Sequence, residues 1–434
     1  MSFPEVQIGE LASPESGAFK IGPFGSSLKK EELVKSGIPV VGIENVLGRN
    51  FSPPFRRFIT DKKYNDLAQY SVKAGDVLVT TMGTIGRAAV APANIGTMII
   101  DSHLFRMRLN REKVYPEYLC YGLNGYYGLL QQLEQMSRGA IMDGLNTTIL
   151  KECTIPLPPL PEQRRIAAIL ARAERLRRLR RTALHLSENY LQSVFVQMFG
   201  DPVTNPMGWD AEELGMKISF LTSGSRGWAK YYAEQGDVFL RIQNIGQGNL
   251  LLDDLAHVNA PATAEGRRTR VQPGDLLLSI TADLGRTAVI PHGFPTAYIN
   301  QHLALLRLKD IEPIFVSGYV ASPGGQLQID RLDREGVKSG LNFDDIRGFR
   351  IFVPPLPLQQ RFAAVAARYE RLRTQQREAL RQAEHLFDTL LHRAFRGELG
   401  PADARAVTAE LASAPAAAPA EVSADLVQMG LGLE

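Results

Sequence analysis

Two segments of the chain carry apolar residues at alternating steps of three and four. The first runs Ile166, Ile169, Ala173, Leu176, Arg180, Ala183, Ser187, Tyr190, Val194. The second runs Phe362, Val365, Tyr369, Leu372, Gln376, Ala379, Ala383, Leu386, Leu390, each position 196 residues further on. Such spacing is the seam of a coiled coil, and both stripes turn polar at the same step, Arg180 and Gln376. No Gly or Pro interrupts residues 162–199. The pattern therefore predicts one helix of 38 residues there, roughly 57 Å long at 1.5 Å per residue. Pro161 suits the first helical position, Glu162 suits the first turn, and Gly200-Asp201-Pro202 ends the helix.

Outside the stripes the apolar runs are short, β-branched and punctuated by Gly and Pro, which reads as strands. VLVTTMG and AAVAPA lie before the first helix, LLLSI and TAVIP before the second. These runs also repeat. GDVLVTTMGTIGRAAV (75–90) aligns with GDLLLSITADLGRTAV (274–289) at an offset of 199. Gly42-Ile43-Glu44-Asn45-Val46 aligns with Arg241-Ile242-Gln243-Asn244-Ile245, and Asp101-Ser102-His103 with Asn300-Gln301-His302. Gly144-Leu145-Asn146 matches Gly340-Leu341-Asn342, and eight of twelve positions are identical between 158–169 and 354–365. The chain is a tandem duplication of a globular part followed by a helix, too long a unit for a short-repeat solenoid.

Composition narrows the class. The 434 residues allow two or three domains, and two cysteines, Cys120 and Cys153, without a CxxC fit a reducing cytoplasm. No apolar run approaches a membrane span, and the N-terminus lacks a signal-peptide pattern, so a soluble, cytoplasmic protein is expected. The net charge is +3, with +5 concentrated in residues 162–199 and +4 in 358–397, while 200–357 carries −3. That distribution does not by itself name a partner.

The ordered motifs resemble the specificity subunits of type I restriction–modification systems over residues 1 to about 399. The resemblance rests on Pro159-Leu160-Pro161-Glu162-Gln163 and Pro355-Leu356-Pro357-Leu358-Gln359, on the GxxGR stretches ending at Arg87 and Arg286, and on the turns at Gly144 and Gly340. It also rests on MFGDP (Met198–Pro202) and AFRGEL (Ala394–Leu399). Leu358 departs from the pattern where the first copy has Glu162. The resemblance implies a non-catalytic subunit with two target-recognition domains, each reading half of a split, asymmetric site in double-stranded DNA. It implies that the helix pair sets the gap and docks two methyltransferase subunits. Nuclease/translocase subunits would join them, with S-adenosylmethionine, ATP and Mg²⁺ held by those partners.

The fold class expected is therefore α/β (α+β): two pseudo-twofold-related, mixed, strand-rich domains separated by a long antiparallel two-helix coiled coil. The expected boundaries are 1–157 and 200–353 for the recognition domains, 158–199 and 354–399 for the helices, and 400–434 for an Ala/Pro-rich, disordered tail. For DNA contact the first domain offers Lys29, Lys30, Arg49, Arg56, Arg57, Lys62, Lys63 and Arg87. The second offers Arg226, Arg267, Arg268, Arg270 and Arg286. Arg forks suit guanine edges and phosphates, Lys suits phosphate, and each residue alone reads equally as solvated surface.

Two other classes compete. Ser52-Pro53-Pro54-Phe55 fits the [DNS]PP[YFW] loop of amino-methyltransferases, but no Gly-rich cofactor loop follows a strand, and the second copy lacks the motif. No Glu-x-Lys or GxxxxGK[ST] occurs, so a self-sufficient nuclease or nucleotide hydrolase is disfavoured. A coiled-coil scaffold that binds no DNA is favoured only by the negative second domain. His103 and His302 at equivalent positions suggest a shared structural hydrogen bond rather than catalysis.

Overall fold

The computed structural model describes residues 3–137 apart from Thr84, 147–335 and 340–414. Gly144-Leu145-Asn146 lies outside the described residues. The chain divides into two compact units, Met1–Ala183 with Glu378–Glu434, and Leu184–Arg377. This division cuts across the expected order of domain, helix, domain, helix. Each unit takes one globular part, one stretch of the first long helix and one stretch of the second.

In the first unit an antiparallel sheet orders Phe19–Ile21, Leu104–Met107, Val77–Thr80 and Ala88–Val90. All four residues of Val77–Thr80 are buried because both faces of the sheet are covered. Val77 and Val79 enter the cluster that holds the helices, while Leu78 enters a second cluster with Val41, Ala89 and Ile100. That two-sided burial is why the run is continuously apolar instead of alternating. A smaller sheet pairs Ile38–Val41 antiparallel with Phe58–Ile59 and parallel with Ile99–Ile100. Glu5–Gln7 pairs with Thr154–Pro156, which returns the chain to its start just before the PLPEQ motif.

The second unit repeats this plan. Its main sheet orders Ile218–Ser223, Leu303–Leu308, Leu276–Ser279 and Thr287–Val289, and Ala211–Glu213 pairs with Arg350–Phe352 before PLPLQ. Leu276 and Leu278 face one cluster, Leu277 the other.

Each motif glutamine is a buried anchor. Gln163 Oε1 accepts the Tyr115 N–H at 2.7 Å, and its amide donates to the Pro158 and Lys113 carbonyls. Gln359 Oε1 accepts the Glu312 N–H at 2.9 Å and its amide donates to Pro354 O. In both units the amide thus ties the start of a long helix to a backbone N–H just before Pro116 or Pro313, the first residue of a domain helix.

The long helices pair antiparallel within each unit. In the first, Arg165 donates to Leu399 O at 2.8 Å and Arg181 to Glu384 at 2.7 Å. In the second, the Tyr369 hydroxyl donates to Ser187 O at 2.6 Å, and Phe195 meets Phe362 edge-on at 5.4 Å. Ile166, Ile169, Ala173, Leu176 and Val194 are buried as the seam requires, and Tyr190 is half-buried against Tyr369.

Three expectations are corrected. The first long helix is not continuous: it runs Leu160–Leu186, turns at 187–189, and resumes as Tyr190–Phe199. The second copy, with Ala383 and His385 where the first has Ser187 and Asn189, is unbroken over Leu356–Phe395. The Ser187 hydroxyl donates to Leu184 O at 2.7 Å, the local side-chain bond by which serine competes with helix continuation.

The seam of the second helix holds at Phe362, Tyr369 and Leu390 but not at Val365, Leu372 and Leu386. Leu372 is 49% exposed, Leu386 and Val365 are only half-buried, and the buried line runs Phe362, Ala366, Tyr369, Ala383, Phe387, Leu390, Ala394. Steps of four then three serve a heptad as well as three then four. Phe387 is drawn in by Tyr121, 6.3 Å away between ring centroids.

Thirdly, the first part of the expected disordered tail is a helix, Pro401–Ser413, while 415–434 lie outside the described residues. Val407 is fully buried in the first unit's core, Asp403 pairs with Arg393, and Arg172 reaches Thr408.

Burial pushes the Cys120 thiol up to about 12; burial and then the neighbouring Glu152 push Cys153 up to about 11. Only the thiolate reacts with alkylating agents. At pH 8 iodoacetamide will therefore label neither cysteine in the folded chain and both in urea, counted by intact-mass spectrometry. Native labelling of Cys120 would contradict this core.

Candidate nucleic-acid interface

Both units gather their loops at one end of the main sheet. In the first, Phe19–Ile21 and Val77–Thr80 flank Leu104–Met107 antiparallel, so the loops leaving Ile21 and Thr80 emerge beside 101–103. Gly22 lets the first of these loops close on the third: a Cβ there would stand 2.0 Å from Asp101 O. In the second unit a Cβ on Gly224 would stand 2.3 Å from the Asn300 carbonyl carbon. Only glycine fits such an approach of two backbones.

The polar residues shared by the copies build this scaffold. Asn45 Oδ1 accepts Gly42 N–H at 3.1 Å, and its amide donates to Ser52 O and Pro54 O. Asn244 does the same with Arg241 N–H, Leu251 O and Asp254 O. Asp76 accepts from Lys73 N–H and the Arg108 fork, as Asp275 does from Gln272 N–H and Arg307. The side chains of Asp101 and Asn300 each accept the backbone N–H of the histidine two residues on. The histidine equivalence expected from sequence is thus structural, but it runs through the main chain and not the ring. The Ser52–Phe55 loop is held by Asn45, with Phe51 and Phe55 6.0 Å apart on the core.

Where the copies differ, the exposed chemistry differs. In the first unit Arg57 bridges Asp101 at 2.7 Å and Glu44 at 3.2 Å. Burial works against the Arg57 cation, but the Asp101 and Glu44 carboxylates outweigh it and hold its pKa above the ordinary value. In the second unit those carboxylates are replaced by Asn300 and Gln243, and Arg241 pairs with Asp254 at 3.1 Å.

The cations named from sequence fall into two sets. Lys29, Lys30, Arg56, Lys62, Arg87, Arg226, Arg267 and Arg270 are exposed and form no ion pair among the described residues. The others are engaged. Lys63 pairs with Glu32, Arg268 with Glu265 and Arg286 with Asp283. Arg49 departs furthest from expectation. It sits at φ 62°, pairs with Glu174 of the first long helix and lies over the Tyr121 and Phe387 rings at 5.5 and 4.8 Å. It fastens a domain hairpin to the helices, because tertiary packing brings a carboxylate and two rings to it. Sequence reasoning passed over Gln243 and Gln301, whose one signal was neutral amides at repeat positions held by Glu44 and Ser102.

With this duplicated architecture defined, the relatives are informative. Residues 19–184 match the family described as the type I restriction modification DNA specificity domain. The specificity subunit of the type I restriction enzyme EcoBI from Escherichia coli is 22% identical, over 92% of this chain and 86% of the relative. That of MjaIX from Methanocaldococcus jannaschii is 22% identical, over 79% and 82%. Among solved structures, a type I R-M system chain, from a study of complex assembly and conformational transition, covers 92% of this chain and 98% of its own, with TM-score 0.56 and 22% identity. The type I S subunit from M. genitalium covers 91% and 96%, with TM-score 0.54 and 15% identity. Residues 19–184 thus match a type I restriction modification DNA specificity domain, and along most of its length the chain is similar to type I specificity subunits. No helix among the described residues is long and apolar enough to cross a membrane.

Proposed function

We propose that the chain is the non-catalytic, sequence-reading subunit of a type I restriction–modification complex. Each globular part reads one half of a bipartite, asymmetric DNA site through its loop cluster. The helix pair sets the unspecified gap and docks two methyltransferase subunits, and nuclease/translocase subunits complete the assembly. S-adenosylmethionine, ATP and Mg²⁺ act in those partners. The observation that carries this reading is one scaffold built twice from the same hydrogen bonds but presenting different exposed side chains, as two heads for two sequences require. Of the exposed cations named above, Lys29, Lys30, Arg56, Lys62, Arg87, Arg267 and Arg270 supply phosphate contacts.

The test is binding to mixed and cognate duplexes across a salt series, with and without methyltransferase subunits. The expected result is a steep fall of affinity with salt and a sequence-specific component that survives it. The chain alone, given S-adenosylmethionine, ATP and Mg²⁺, will transfer no methyl groups and cut nothing. Absence of DNA binding at either stage, or turnover by the pure chain, overturns the reading.

A further inference from the structure

The loop cluster of the second unit encloses a cleft of about 390 Å³ lined by Arg226, Gln243, Gln301 and His302 above aromatic residues. Trp228 is buried and stacks on Phe239 at 5.0 Å, and Tyr232, half exposed, meets Phe239 edge-on at 5.5 Å. This floor is stiff: Trp228 also contacts Tyr231 and Tyr298, and its indole N–H donates to Glu265 at 3.3 Å. Glu265, which burial alone would push up, is held below its ordinary pKa by hydrogen bonds from Ser225, Arg268 and Trp228. Arg226 stands on the rim exposed, with no ion pair or hydrogen bond among the described residues. Gln243 is exposed too, with Arg241 and Asp254 as the polar neighbours of its amide.

The rim chemistry suits base edges more than phosphate. A guanidinium fork matches guanine O6 and N7, a glutamine amide matches adenine N6 and N7, and an apolar floor accepts a thymine methyl. The comparison between units sharpens this. Gln243 occupies the position of Glu44, and Asn300 that of Asp101, whose carboxylates are held by Arg57. A carboxylate only accepts hydrogen bonds, whereas an amide both donates and accepts, so the same loop offers different partners to a base in the two units.

Resting on the reading of the chain as a DNA specificity subunit, we propose that Arg226, Gln243 and Gln301 read base edges in the major groove of one half-site. Gln243 is then the second unit's specificity-determining counterpart of Glu44.

The experiment uses the full chain with its methyltransferase subunits, sequencing methylated sites and then measuring binding to the recovered duplex and its single-base variants. Arg226→Ala and Gln243→Ala should relax one or two adjacent bases of one half-site and leave the other half unchanged. Discrimination at those bases should fall between about 5- and 150-fold. Gln243→Glu, which copies the first unit, should change the preferred base. Arg267→Ala, an exposed cation of the same domain not among the cleft residues, should weaken binding to all duplexes alike. Cleft variants that keep the wild-type motif and discrimination overturn the inference while the DNA-reading function stands. A wild-type complex without sequence preference overturns that function and the inference with it.

Discussion

Phe395→Ala will lower the stability of the first unit by about 3–5 kcal/mol, the range for deleting a fully packed aromatic side chain, and leave the second unit as it was. Phe395 is 2% exposed, stacks on Tyr126 at 4.8 Å and leans on Tyr118 at 4.9 Å. It belongs to the same core as Val77, Phe105 and Ile166, although it ends the second long helix. Gly122 beneath it leaves little space to refill, since a Cβ there would stand 3.2 Å from the Phe395 ring. The loss is thus a cavity as well as a transfer term. Hydrogen-exchange mass spectrometry will report it as reduced protection over 118–133 with 314–329 unaltered. The mirror variant Phe199→Ala should reverse the pattern, because Phe199 is fully buried among Phe195, Phe315 and Phe362 in the second unit. Equal loss in both units would mean that they unfold as one cooperative body.

The second large effect concerns spacing. The chain passes between its compact units after Ala183 and after Arg377. Four residues added at both points lengthen both helices by about 6 Å and over-rotate their faces by roughly 40° at 3.6 residues per turn. Base pairs lie ~3.4 Å apart along the duplex. If the helices set the gap, methylated sites in cells carrying this variant and its partners will show a gap one or two base pairs longer, with both half-site sequences unchanged. An active variant with the original gap would remove the helices as the ruler. Insertion into both helices is needed because each unit pairs them antiparallel, as Arg181 with Glu384 and Ser187 with Tyr369 illustrate.

Much of the architecture was legible because the duplicated polar residues are those the fold cannot exchange. Asn45 and Asn244, Asp76 and Asp275, Gln163 and Gln359 persist because each satisfies specific backbone groups that burial would otherwise leave unpaired. The candidate site was legible only in part. The exposed Arg226 was named on its charge, but Gln243 and Gln301 carry none and stood out only once the loops were brought together. Arg49 and Arg57 looked identical to free cations, because nothing near them in sequence reveals Glu174 or Asp101.

The sequence by itself determined the tandem repeat, the two long helical stripes, the strand runs and the glycine and amide landmarks, since all of these follow from local periodicity and backbone conformation. Tertiary structure alone decided the rest. Adjacent apolar residues such as Leu386 and Phe387 make two seam frames equally good, and the Tyr121 ring selects the second. The closure of the first unit by Phe395, the docking of Val407 and the neutralisation of Arg57 depend on surfaces supplied from distant parts of the chain. No local spacing encodes such a partner; it exists only after the apolar faces have been removed from water together.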